Sequence, residues 1–191
     1  MRLWTVQPVE VWKLLQENGR YVCDKTKSEC LSDLTFVESY DWLVKEMEDR
    51  IGARDEDVEY PVWAWHTFDG KNDELDLDKE SYVSAGEEAV CLEIEIPDNE
   101  VVLTDFNNWH CVLNNSYCAS ALSEEEWESE MKWFDSLERD EKKKVKEESW
   151  RRIFDITRIV NDFVENGMYV QATFWSLKLE NVKKVRHFVG K

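Results

Sequence analysis

The segment AVCLEIEIP, which ends at Pro97, alternates between apolar and acidic side chains. The apolar side chains fall at every second position from Val90 to Ile96, and Glu93 and Glu95 stand between them. Successive side chains of a strand point to opposite faces of a sheet, so this pattern predicts a strand with one buried face. The proline ends the strand because it cannot donate a hydrogen bond to a neighbouring strand.

The order of the other elements predicts an α+β fold. A helix that ends at Gly19 follows a strand in RLWTVQ, and a helix that ends at Gly52 follows a short strand in RYVC. The segment EYPVWAWHTF is predicted to be a strand that ends in a D-G turn, and residues 71–87 are predicted to be loop. Because consecutive strands follow one another without crossover helices, we expect a mixed or antiparallel sheet.

Residues 124–165 are predicted to form a helical pair, inserted before the last strand of a single domain that spans residues 1–191. Ser123 is a good N-cap with Glu126 at the capping-box position, and Trp127 begins an apolar stripe that we expect to be buried. A charged stretch up to Glu148 leads into the second helix. That helix is predicted from apolar residues in register: Ile153, Ile156, Val160 and Val164.

The composition favours a folded chain with an acidic surface. The 191 residues carry a formal net charge of −18, yet 42% are hydrophobic and ten are tryptophan, which argues against disorder. Binding to a nucleic-acid backbone needs clustered positive charge, so we do not expect it. The negative charge fits solubility, or imitation of a nucleic acid toward a basic partner. We find no signal peptide and no membrane span, and therefore expect a cytoplasmic protein.

The five cysteines cannot all pair within one chain. Cys23 and Cys30 have the C-x6-C spacing that Cys111 and Cys118 also have, whereas zinc sites separate paired cysteines by about two to four residues. No nearby histidine completes either pair. We therefore expect reduced thiols and no bound metal.

The chain lacks the standard motifs of nucleotide-binding and hydrolytic enzymes. The candidates for proton transfer are Asp105 and His110, which lie together in LTDFNNWHCVL after a predicted buried strand. Asp105 has the alternative interpretation of an Asx-turn residue, and His110 that of a packed histidine with one hydrogen-bonded nitrogen. Asn107, in the same segment, and His66, in WAWHTF, are candidate ligand contacts.

Two strands carry pairs of neutral polar residues. The last strand, YVQATFW, places Gln171 and Thr173 on one face, and the first strand places Thr5 and Gln7 on one face. If the two strands are neighbours, these four groups line one cleft. Tryptophans nearby could stack on a flat ligand, although a tryptophan in a strand is more often part of the core. The predicted ligand contacts are Thr5, Gln7, Trp63, His66, Asn107, Gln171, Thr173 and Trp175.

These segments resemble the ADP-ribosyltransferase fold, most closely the branch that modifies DNA bases. The opening WTVQPVEVWKLLQENG is similar to the family's strand with H-x-T and its helix ending in glycine, with Thr5 and Gln7 at the histidine and threonine positions. YPVWAW is similar to a strand of the P-F-x-F kind, and LEIEIPDNEVVLTDFNNWH and the closing QATFW also resemble family segments. The resemblance implies a cleft that binds NAD or another nucleotide.

The resemblance also implies altered chemistry. The position of the family's catalytic glutamate is occupied by Thr173, and a neutral hydroxyl cannot stabilise a developing positive charge as a carboxylate does. The chain is in addition similar to a bacterial family that shares the phrases LWT-x-Q and QATFW and has no known activity.

Two hypotheses account for these patterns. The first is a nucleotide-binding protein, either an ADP-ribosyltransferase-like enzyme or a degenerate relative, with the first strand contacting the base and the last strand the ribose. The second is a non-enzymatic protein whose acidic helical pair docks a basic partner such as a nuclease or toxin. A pocket facing Gln171 favours the first hypothesis, and an acidic stripe without a cleft favours the second.

Overall fold

The structure is a computed structural model that describes residues 1–27, 34–79 and 81–191. Within these residues the chain forms five α-helices: α1 (Val9–Asn18), α2 (Leu34–Ile51), α3 (Phe106–Leu113), α4 (Glu124–Ser136) and α5 (Arg139–Ser149). The same residues form ten strands: β1 (Arg2–Pro8), β2 (Arg20–Tyr21), β3 (Val62–Thr67), β4 (Glu88–Glu95), β5 (Val102–Asp105), β6 (Ile159–Val160), β7 (Glu165–Asn166), β8 (Val170–Phe174), β9 (Leu177–Lys178) and β10 (Val182–Val189).

Six of these strands form one antiparallel sheet in the order β10-β4-β1-β3-β8-β5. The predicted α+β fold is confirmed, and the sheet is antiparallel at every pairing. β2 pairs with β9, and β6 pairs with β7, as separate two-stranded ribbons. Within the large sheet, β3 lies between β1 and β8, so the strands that carry the two predicted polar pairs do not touch.

α1 and β3 end where the sequence predicts. α1 ends at Gly19, which has a left-handed φ of 74° and donates its N–H to the Leu15 carbonyl at 2.9 Å. β3 leads into a tight turn at Asp69 and Gly70, both with positive φ. β4 follows the predicted alternation: Leu92 and Ile94 are fully buried.

The sheet is covered on both faces. One face, here the α1 face, carries Leu3, Ala64 and Ala172 and packs against Leu15 of α1 and Leu177. The other face, here the α2 face, is covered over β3, β8 and β5 by α2, α3 and the 3-10 helix Trp150–Phe154. Over β1 and β4 the α2 face is covered by the loop that includes Leu75 and Tyr82. A sheet buried on both faces needs apolar residues on both, which is why Ala89 and Cys91 of β4 are buried along with Val90 and Leu92.

Two helices, α4 and α5, precede β8, but the second helix lies earlier in the chain than predicted. The charged stretch predicted to connect the helices is itself α5, because lysine and glutamate are good helix formers. Val160 lies in the ribbon of β6 and β7, where the Asn161 side chain accepts the N–H groups of Phe163 and Val164 at 2.8 and 2.7 Å. This asparagine turn reverses the chain and replaces the predicted helix.

The first half of the pair is a helix with its predicted cap. The Ser123 hydroxyl accepts the N–H of Glu126 at the start of α4. The apolar stripe is wrong, however: Phe134 is buried, but Trp127 is 43% exposed. Among the described residues, no helix is both long and apolar enough to cross a membrane.

Candidate functional site

Gln171 and Thr173 lie on the α2 face of β8, in the interior of the sheet. Thr173 is fully buried opposite Trp63 and Val102, and its hydroxyl donates a long hydrogen bond of 3.4 Å to the Val102 carbonyl. Gln171 is half-buried between Trp65 and Thr104. The face of β8 that was predicted to form the floor of a pocket is therefore covered by other residues at Thr173.

Thr5 and Gln7 point to the opposite face. Trp4 of β1 pairs with Trp65, and Trp65 pairs with Gln171, so these three side chains share the α2 face. Thr5 alternates with Trp4 and points to the α1 face, beside Leu92. The predicted common cleft of the two polar pairs is wrong, because the pairing through β3 sets the two pairs on opposite faces.

Asp105 is a buried helix cap. One carboxylate oxygen accepts the N–H of Asn108 at 2.8 Å, in the first turn of α3, and the other accepts the N–H of Gly167 at 2.7 Å. Burial raises the pKa of Asp105, while these backbone donors act in the opposite direction. Both oxygens are occupied by backbone groups, so the geometry supports the capping interpretation rather than proton transfer.

His110 and Asn107 lie on the exposed side of α3. The His110 ring nitrogen Nδ1 is 2.9 Å from the Phe106 carbonyl, and the ring contacts the Phe106 ring at 4.6 Å. Asn107 donates a long bond of 3.3 Å to the Glu165 carbonyl. The two predicted proton-transfer residues are therefore separate: His110 is exposed, and Asp105 is enclosed under the start of the helix.

The other predicted contacts have structural partners. The Trp63 ring packs against Trp109 at 5.4 Å and against Tyr40 at 6.1 Å on the α2 face. Trp175 donates its indole N–H to the Gly52 carbonyl at 3.0 Å. His66 is half-buried beside the Thr67 hydroxyl at 2.9 Å, and burial lowers its pKa.

Two cavities include predicted site residues, and neither has Gln171 or Thr173 in its wall. The first, of about 470 Å³, lies at Asp105 and Asn107 and is bounded by the β6–β7 ribbon. Its polar lining includes the exposed carboxylates of Asp162 and Glu165. The second, of about 440 Å³, lies at the end of β1 and β3 and includes Gln7. Asp105 and Asn107 thus line one cavity, and Gln7 and Trp63 line the other.

The described cysteines carry free thiols: Cys23, Cys91, Cys111 and Cys118. Cys30 lies outside the described residues. A hydrogen bond with the Cys111 sulfur, together with burial, raises the pKa of Cys118. In the described part of the chain, no group of three or more histidine, cysteine or carboxylate side chains could hold a metal ion.

α4 carries a surface that the predicted site did not include. Trp127 is 43% exposed and Trp133 is 48% exposed, on a helix with six acidic side chains and one lysine. The predicted apolar stripe obscured this surface, because Trp127 has helical spacing to the buried Phe134. The sequence does contain a signal for this surface. In EEEWESEMKWF both tryptophans stand among charged residues, and the helix has too few apolar residues to form a wide buried stripe.

The comparisons with known proteins identify a family. The profile of DUF3841, described as a domain of unknown function, matches residues 2–183, so the chain belongs to this family. Neither the search of curated proteins nor the search of solved structures gave a match.

Proposed function

We propose that this member of the DUF3841 family is an interaction protein that binds a basic partner through α4. The observation that carries the proposal is the exposure of Trp127 and Trp133 on an acidic helix. A tryptophan has a large apolar surface, and tryptophans are enriched among the residues that dominate binding energy at protein interfaces. Two of them that are nearly half exposed on one short helix favour a surface that a partner covers.

The charge of α4 specifies the partner. Among the described residues, the carboxylates of Glu124, Glu125 and Glu128 have no hydrogen bond or ion pair, so they are available to a basic group. Glu130 is already occupied by the Tyr117 hydroxyl at 2.6 Å and by the Ser120 backbone. Free carboxylates beside exposed indole rings suit lysine and arginine, which pair with the former and stack on the latter.

α5 does not extend the acidic surface. It carries about as many lysine and arginine side chains as acidic ones, and its Lys143 and Lys144 face Glu147 and Glu148 one turn later, at 3.9 and 3.8 Å. The acidic helical pair of the second hypothesis is therefore reduced to α4 alone. A nuclease or toxin with a basic binding surface is the class of partner that this charge would suit.

The test uses a short synthetic peptide in which arginine alternates with leucine, and a control peptide with glutamate in place of arginine. We expect the protein to bind the basic peptide, and Trp133→Ala to raise the dissociation constant about tenfold, because truncating a central tryptophan costs more than about 1 kcal/mol. At low salt, Glu125→Lys should raise the dissociation constant more than Trp133→Ala does. Glu141→Lys, a matched charge reversal on α5, should change it little.

Two results would contradict this function. Equal binding by the protein and by its Trp127→Ala and Trp133→Ala variants would show that only unspecific charge attraction is measured. Equal loss in Glu125→Lys and Glu141→Lys would show that the net charge of the molecule, and not α4, attracts the peptide.

The binding of NAD or another nucleotide is the second candidate function, at the cavity beside Asp105 and Asn107. Its size, about 470 Å³, supports this candidate, and the nearby carboxylates of Asp162 and Glu165 oppose the approach of a pyrophosphate. ADP-ribosyltransferase-like chemistry would in addition need a carboxylate other than Asp105. The measurement is the thermal unfolding midpoint with NAD and a panel of nucleotides, since a ligand of the native state must raise it. An unchanged midpoint at millimolar nucleotide would reject this candidate.

A further inference from the structure

The groove at the end of β1 and β3 is separate from the α4 surface. It has a volume of about 440 Å³, within the range of small-molecule sites. Val11 and Leu14 of α1 form one wall, and Pro61 and Val62 at the start of β3 form another. Gln7 also belongs to the lining, and it is half-buried. The groove thus has apolar walls with Gln7 as a neutral polar group, and its lining also includes the charged side chains of Glu10, Asp24 and Lys27.

The hydrogen bonds around Thr5 fix the orientation of the Gln7 amide. The Thr5 hydroxyl donates its single hydrogen to the Trp63 carbonyl at 2.7 Å. Gln7 lies 2.7 Å from the same hydroxyl, so Gln7 must be the donor in that contact. Its Nε2 therefore faces Thr5, and its amide oxygen is left without a partner among the described residues. The Gln7 side chain is half-buried, and its amide oxygen is stabilised when it accepts a hydrogen bond.

The remaining polar groups of the groove are neutral or already paired, except the exposed carboxylate of Glu10. Burial raises the pKa of Tyr21 and of Cys23, so both stay protonated at neutral pH. Asp24 accepts the hydroxyl and N–H of Thr26, and Lys27 lies 3.6 Å from the same aspartate. An anion would lose its hydration here without a free counter-charge, and Glu10 would repel it. A cation would gain little, because the Glu10 carboxylate is exposed to solvent.

We propose that this groove binds a small, neutral, aromatic molecule through an N–H group that donates to the amide oxygen of Gln7. The apolar walls and the ring of Tyr21 contact the body of the ligand, and the Gln7 oxygen selects the donor. A molecule of the same shape that lacks the N–H leaves this oxygen unpaired and binds more weakly.

Indole and benzofuran provide the test, since they have nearly the same shape and differ in the N–H. The readout is the alkylation of Cys23, which belongs to the groove lining, measured by peptide mass at mildly alkaline pH. Indole should halve the rate at a concentration about tenfold lower than benzofuran does. Cys111, a half-buried thiol of α3, is the internal control, and its rate should not change.

Two variants complete the experiment. Gln7→Met removes the acceptor and should make the two ligands equal. Leu14→Trp fills the groove without touching the Gln7–Thr5 bond, and it should make the Cys23 rate independent of either ligand. Equal protection by indole and benzofuran in the unmodified protein overturns the proposal, and so does parallel protection of Cys111. If Gln7→Met does not fold, the ligand comparison and Leu14→Trp still decide the outcome.

Discussion

Asp105 accepts two backbone hydrogen bonds while it is fully buried, so its removal leaves two N–H donors without a partner. Loss of a helix cap costs about 0.5–2 kcal/mol, and a hydrogen bond to a charged group is worth about 1.5–3 kcal/mol. We therefore expect Asp105→Ala to lower the free energy of unfolding by about 2–4 kcal/mol in a urea titration. Asp162→Ala, an exposed aspartate at the same cavity, should change it by less than about 0.5 kcal/mol. Similar losses in both variants would contradict the cap.

His66 gives a pH dependence of known sign. Burial lowers its pKa below the ordinary value of 6.5. Below pH 6.5, and down to the folded pKa, the unfolded chain binds a proton that the folded chain does not. The free energy of unfolding should therefore fall on acidification through this pH range. Above the range His66 is neutral in both states, and its titration no longer lowers the stability. The difference between the unmodified protein and His66→Gln, measured by urea titration at several pH values, should show this slope. Parallel curves for the two proteins would contradict it, and His187→Gln on exposed β10 is the control.

At the scale of the element, α4 and the 3-10 helix Trp150–Phe154 present tryptophan in opposite ways. Trp150 is buried, packs against Trp42 at 5.5 Å and donates its indole N–H to the Ser116 carbonyl at 2.8 Å. Trp150→Ala should therefore cost about 3–5 kcal/mol of unfolding free energy, whereas Trp127→Ala should cost less than about 1 kcal/mol. Guanidinium titration of both variants checks this. A large loss in Trp127→Ala would show that its ring is part of the core.

The predictability of the elements depended on how much of the pattern was local. Gly19 and Ser123 are correct predictions because a left-handed C-cap and a hydroxyl N-cap act within one turn of chain. Val160 and Val164 have helical spacing but lie in a ribbon, because the Asn161 turn between them overrides the periodicity. The turn-forming pair Asn161–Asp162 was the local signal for the ribbon.

At the scale of the whole molecule, the candidate site could not be predicted from alternation. Alternation correctly placed Thr5 with Gln7 on one face and Gln171 with Thr173 on another. Alternation within a strand cannot predict whether the faces of two strands lie on the same side of the sheet. The order of the strands and their register determine this. Here β3 intervenes, and the pairing of Trp65 with both Trp4 and Gln171 sets the result.

The net charge of −18 has a consequence for the stability of the whole molecule. Repulsion among like charges destabilises the compact state, and salt screens it over a Debye length of about 10 Å at 0.1 M. We expect the free energy of unfolding in urea to rise when sodium chloride is added to a low-salt buffer. A fall would show that the surface ion pairs, such as Lys184 with Glu74 at 2.9 Å, outweigh the repulsion.

The outer strand β10 affects how copies of this chain behave when they are crowded. An edge strand has unpaired backbone groups and can extend into a neighbouring molecule, which is the first step of fibrous aggregation. β10 is eight residues long, but its exposed positions include Lys183 and Lys184. Pairing of two such edges would have to dehydrate these charged side chains and disturb their ion pairs with Glu95 and Glu74, which costs free energy. The opposite edge, β5, is only four residues long and runs directly into α3. The sheet is therefore closed to growth at one edge by charge and at the other by its short length.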